Sequence, residues 1–213
     1  MVDRAPLEFP LITAAQRAGE GSRLGRPWDR SRPVDVPLPP ATPVDSVIAA
    51  RGSQRRMDPS RGLSQDLLRT GMSVALRGLS LPHWVVVHDV AGLAPGVYRW
   101  PGLAAPIRAG ALGDELYRVC LDQALARDAA CVAIAATDMG KLSDPEYREA
   151  HLAAYALGAS ASGMTFLDSE VPGLLGEPLG GLLFTCVGVP RYPNVPAGPP
   201  GAPSRVRRVT PAS

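Results

Sequence analysis

The stretch HWVVVHDVAGLAPGVYRW (83–100) decides the fold class. Its centre, Trp84 to Val87, is apolar and β-branched, of strand length, and is followed by the turn signal Gly92-Leu93-Ala94-Pro95-Gly96. Two further runs extend the pattern. CVAIAAT (131–137) is apolar throughout, as expected of a strand covered on both faces, and GLLFTCVGV (181–189) reads as a last strand.

Helices alternate with these runs. TPVDSVIAAR (42–51) carries a helix start in Thr42, Pro43 and Asp45, an apolar face of Val44, Val47 and Ile48, and a stop at Gly52. LSQDLLRTGMSVAL (63–76) reads as a helix capped by Ser64, with Leu67, Leu68, Met72 and Leu76 on one side. Asp114 to Ala126 has Leu116, Val119, Cys120 and Ala124 at helical spacing. Ser143 or Asp144, with Pro145 just inside, opens another helix that stops at Gly158. The order predicts a mixed α/β domain.

The ends differ in composition. Pro 23 and Gly 22 exceed a fifth of the 213 residues and are concentrated there. Residues 1–42 read as an extended Pro/Arg-rich arm or connector, with a short helix within LEFPLITAAQRAG (7–19). Residues 43–190 read as the domain, and 191–213 as a Pro/Gly-rich tail. With 46% apolar but 5% aromatic residues, the core is expected to be mostly Ala, Leu and Val.

A net charge of +2 gives no reason to expect nucleic acid or a membrane surface as partner. Cys120, Cys131 and Cys186 are too few and too widely spaced for a disulfide framework or a zinc site. The N-terminus lacks a long apolar signal segment, so a reducing, cytoplasmic compartment is expected. His83, His88 and His151 are scattered away from any metal spacing. Nucleophile-elbow, P-loop, GxGxxG and HExxH patterns are missing, which leaves hydrolase and kinase chemistry without a motif.

Two clusters could bind a ligand. Arg51-Gly52-Ser53-Gln54-Arg55-Arg56 places two guanidinium groups and a hydroxyl where they could surround a phosphate; the same residues would equally serve as a solvated basic end to a helix. Gly158-Ala159-Ser160-Ala161-Ser162-Gly163-Met164 could let backbone approach a flat ligand, or could be a helix cap followed by a loop of small residues.

Five segments, in order, resemble the FMN-dependent nitroreductase-like superfamily, in particular its azoline-dehydrogenase (SagB-type) branch. They are RGSQRRMDP with LSQDLL, HDVAGLAPGVYRW, CLDQALARDAACVAIAATDMGKL, LAAYALGASASGMTFLDSEVPGLLG and GGLLFTCVGVP. The resemblance runs from Val44 to Pro190, and the proline-rich arm before it resembles the connector of tandem members.

It implies an α+β fold, with a central, mostly antiparallel sheet flanked by helices, and FMN bound at a dimer interface. Arg51, Ser53 and Arg55 would hold the phosphate and ribityl chain, Ser162 and Gly163 would lie along the ring, and Arg207 (or Arg205) would complete the phosphate site. The implied activity is hydride transfer through flavin N5, with NADPH or NADH as reductant and a small-molecule or peptide substrate. The alternative is a degenerate relative that binds flavin or a partner protein without turnover; a partner-recruiting protein that keeps only the fold is a third reading.

Two departures matter. The family's proline–serine–alanine–glycine segment, which contacts flavin, is replaced by MSVALRGLSLPHW (72–84), where Ser73 or Ser80 is the nearest substitute. The helix ending in YALG is shorter than the family's by about three turns, on the order of ten residues, which would weaken a dimer interface.

Overall fold

The computed structural model of the protein describes residues 9–19, 42–43, 45–47, 54–158 and 162–192. At its centre is β4 (Cys131–Thr137), paired antiparallel with β1 (His83–Val87) on one side and with β6 (Gly180–Val187) on the other. β2 (Gly96–Arg99) and β3 (Arg108–Ala109) extend the sheet beyond β1, and β5 (Ser162–Met164) closes it beyond β6. The order is β3-β2-β1-β4-β6-β5, antiparallel at every step.

The apolar runs lack polar alternation because helices cover both faces. Trp84, Val86, Val132, Ile134 and Phe184 point to one face. There they meet α3 (Gly113–Val119), α4 (Ala124–Asp128) and α6 (Val171–Leu175) through Leu116, Val119, Ala126, Leu174 and others. Val85, Val87, Cys131 and Ala133 point to the opposite face, against Leu68 and Met72 of α2 (Gln65–Ala75) and Leu76 at its C-terminal cap. Farther along that second face, Ala135, Leu182 and Leu183 pack with Ala154 of α5 (Asp144–Gly158). The register shifts between Ala135 and Ala136, so that Leu182 and Leu183 both join this cluster.

Local signals place the helices. Ser64 Oγ accepts the Leu67 N–H at 3.2 Å and caps α2. Ser143 donates its backbone N–H and its hydroxyl to Glu146 at 2.8 and 2.7 Å, a capping box before α5. The short helix expected near the N-terminus is α1 (Pro10–Gly19). Gly181 lets β6 pass close under Phe166, whose ring stacks on Phe184 at 4.4 Å; a Cβ at Gly181 would sit 2.6 Å from that ring.

Several expectations need correction. The single helix over Asp114–Ala126 is two helices, because Leu121 and Asp122 both adopt left-handed backbone (φ 57°) and reverse the chain. The Asp122 N–H bonds the Tyr117 carbonyl at 2.8 Å, ending α3, and the break turns Leu125 and Ala126 into the core. Leu67 is 57% exposed, since it lies one residue, about 100°, around the helix from the Leu68–Met72–Leu76 stripe. Val47 is exposed on the helical turn at 45–47; Val44, Ile48 and Gly52 lie outside the described residues. β2, β3 and β5 escaped the sequence reading because they are two to four residues long, and β5 falls within the run read as a loop of small residues. The extended arm at 20–41 and the tail from 193 lie outside the described residues.

The two faces of α2 give a direct test of its register. Leu68→Ala is expected to cost about 2–5 kcal/mol in urea unfolding and Leu67→Ala no more than about 0.5 kcal/mol; equal losses would show that α2 is rotated from this placement.

Candidate functional site

The arginine segment is held at one end of the sheet. Met57 bridges Pro190, the Asp58 N–H bonds the Val189 carbonyl at 2.8 Å, and the Arg191 N–H bonds the Arg56 carbonyl at 3.1 Å. Met57 is buried in the core and anchors the segment, while Arg55, Arg56 and Arg191 are exposed around it. Asp58 is the carboxylate within this segment. Its pKa is lowered by the Ser60 hydroxyl and backbone N–H, and by the charges of Arg61 and Arg191. The resulting basic end of the sheet has the charge a phosphate group requires.

Arg51, Ser53 and Arg207 lie outside the described residues. The basic residue that the structure does bring to Arg55 and Arg56 is Arg191, which the sequence reading passed over because it opens the proline-rich tail. Ser162 and Gly163 belong to β5, opposite Cys186 and Thr185 of β6. Thus β6 carries β5 along its edge and the arginine segment beyond its C-terminal end. As the outermost strand among the described residues, β5 has an outer edge whose backbone groups could meet a ligand or another chain.

A separate cleft of about 550 Å³ opens at the other end of the sheet. Ser73 and Arg77 at the end of α2, Ser80 in the following loop, His83 at the start of β1, and Trp100 line it. His83 pairs with Ala135, and Ala135 with Leu183, whereas the arginine segment pairs at Pro190. The His83 level of the cleft and the Met57–Pro190 bridge therefore lie roughly 23 Å apart along the sheet, at about 3.3 Å per residue. Ser73 and Ser80, the nearest substitutes for the family's flavin-contacting segment, both border this cleft.

The buried titratable groups serve the fold. Burial pushes the Cys120 and Cys131 thiols up to about 12 and raises Cys186 as well, so none of the three is a nucleophile at neutral pH. His83 Nδ1 lies 2.8 Å from the Leu81 carbonyl and His88 Nδ1 2.9 Å from the Ala129 carbonyl, so each Nδ1 carries the proton and Nε2 the lone pair. Neither Nε2 has a hydrogen-bond partner among the described residues. Among those residues no cluster of His, Cys, Asp or Glu could hold a metal ion, and no helix is long and apolar enough to cross a membrane.

Comparison with solved structures places the fold. The chain resembles a provisionally assigned nitroreductase from Anabaena variabilis, with a TM-score of 0.59 and 27% identity over 66% of this chain and 37% of that one. A nitroreductase-like protein from Streptococcus mutans matches with a TM-score of 0.48 and 16% identity, over 77% of this chain and 93% of that one. No protein-family model and no curated protein matches the chain significantly. The chain has the nitroreductase-like α+β fold expected from its sequence, and spans well under half of the Anabaena protein.

Burial lowers the pKa of both His83 and His88, with their backbone hydrogen bonds opposing the shift. The unfolded chain therefore binds more protons than the native state below about pH 6.5, and stability falls as pH drops through that value. The melting temperature is expected to decline between about pH 7 and pH 5, and the decline to flatten in the His83→Gln/His88→Gln double variant; an unchanged slope in that variant would assign the pH dependence to other groups.

Proposed function

We propose that this protein binds FMN and acts as a flavin-dependent oxidoreductase of the nitroreductase type, with the cofactor site completed by a second chain. The observation that carries the reading is the pairing of residues 56–58 with 189–191. It gathers Arg55, Arg56 and Arg191 beyond the end of the strand whose edge holds Ser162 and Gly163.

In this reading Arg51, Arg55 and Arg191 neutralise the FMN phosphate through charge-assisted hydrogen bonds, and the Ser53 hydroxyl adds a donor. Arg207 is a further candidate for the same task. Ser162 and Gly163 run beside the ring, where the lack of a side chain at Gly163 lets backbone come close. Bound FMN would supply hydride transfer through N5, with NADPH or NADH as reductant. The chain's own task is to orient the flavin and hold its charge.

A second chain enters because the cleft that Ser73 and Ser80 border opens at the end of the sheet opposite the arginine segment. In a homodimer, or with a related partner, the cleft end of one chain can meet the arginine end of the other. The SagB-type affinity and descent from half of a tandem protein belong to this proposal. So do a small-molecule or peptide substrate and a cytoplasmic setting. Matching 37% of the Anabaena chain is compatible with the tandem origin.

The replaced serine–glycine segment and the 15-residue α5 favour a second reading, in which flavin binds without turnover. Both readings require FMN to bind. Purified protein is expected to take up FMN with a perturbed absorbance band, and Arg55→Ala/Arg191→Ala to weaken binding by at least about tenfold, the loss of a charge-assisted contact. Failure of the unaltered protein to bind FMN overturns both. Bound flavin that NADPH and NADH leave oxidised supports the second.

A further inference from the structure

Two apolar surfaces of this chain are exposed on helices. The first is on α1. Phe9, just before the helix, and Leu11 and Ile12 within it are all exposed, Leu11 at 87%. At about 100° per residue these three share one side of the helix, and Arg17, its one charged residue, lies opposite. Isolated helices shorter than about 12–15 residues are marginal in water, so this ten-residue helix draws its stability from whatever its apolar side packs against. Nothing among the described residues covers that side.

The second is on α2. Leu67, Gly71 and Val74 lie on the side of the helix turned away from buried Leu68 and Met72, and all three are exposed. A Cβ at Gly71 would meet nothing within 4 Å. The stripe is two apolar side chains with an open notch between them. Glycine inside an exposed helix weakens it, and its use there is the close approach of a second backbone. Both surfaces are uncovered in the one chain, so the contact they suit is between chains. We propose that α1 of one copy docks on the Leu67–Gly71–Val74 stripe of a second copy, with its Leu11–Ile12 side over the notch. By two-fold symmetry the second copy's α1 does the same on the first.

The test is hydrogen exchange of the full-length, flavin-free protein across a dilution series, read by mass spectrometry on residues 9–19. Because no flavin is added, the result is independent of whether FMN binds. Exchange of the α1 amides is expected to slow by at least about tenfold as concentration rises. Ile12→Asp and Leu67→Asp, at exposed positions, should each abolish that protection while the domain stays folded. Gly71→Leu fills the notch with a better helix former, so protection should be lost while the melting temperature holds or rises. Mixing the two aspartate variants is the decisive arm. The Leu67→Asp chain keeps an intact α1 and the Ile12→Asp chain an intact stripe, so adding the second should restore protection to the unaltered α1 peptide, which its mass distinguishes. Protection independent of concentration would put α1 on its own chain and overturn the proposal. So would the absence of protection, full protection in the Gly71→Leu or Leu67→Asp variant, or no rescue on mixing.

Discussion

The structure depends on one strand being covered on all sides. β4 receives hydrogen bonds from β1 and β6 at its two edges and side chains from helices on its two faces, and six of its seven residues are buried. A strand in that position cannot tolerate a polar side chain without a partner, because an unpaired buried polar group costs on the order of 1–3 kcal/mol. Cys131-Val-Ala-Ile-Ala-Ala136 meets the requirement, and Ala133 and Ala135 let α2 and α5 approach the second face. The neighbouring strand His83–Val87 is likewise buried along its whole length, with the His83 ring held at Nδ1 by the Leu81 carbonyl.

From that arrangement follows the separation of the functional candidates. β6 runs the length of the sheet, beginning beside the cleft level and continuing to Pro190, where the arginine segment is pinned through Met57. The sheet's packing thus fixes Arg55 and Arg191 at one end and Arg77 and Ser80 at the other. Each end has its own chemistry, one basic, the other concave and lined by Ser73, Ser80, His83 and Trp100 among others. On the proposed reading, a flavin that uses both ends joins two chains.

Long, strongly patterned segments were legible in the sequence for a physical reason. CVAIAAT and HWVVV carry a whole strand's burial in their composition, and Ser64 and Ser143 announce helix starts through caps that form as expected. What escaped the sequence depended on tertiary context. Nothing local in Leu121-Asp122 reveals a left-handed reversal, since neither is glycine. Arg191 gains its neighbours only when β6 ends beside Met57, and Arg77 and Trp100, 23 positions apart in the chain, share a cleft through the pairing of β1 with β2. The arginine–serine motif itself was visible as residues, with Arg55 the member placed by the structure.

The central claim, that the proposed flavin site is shared between chains, is tested most directly by sedimentation velocity recorded at the flavin absorbance band across a dilution series. The account predicts that bound FMN sediments with a species of at least two chains and is released as that species dissociates. FMN sedimenting at full stoichiometry with a single chain would contradict it.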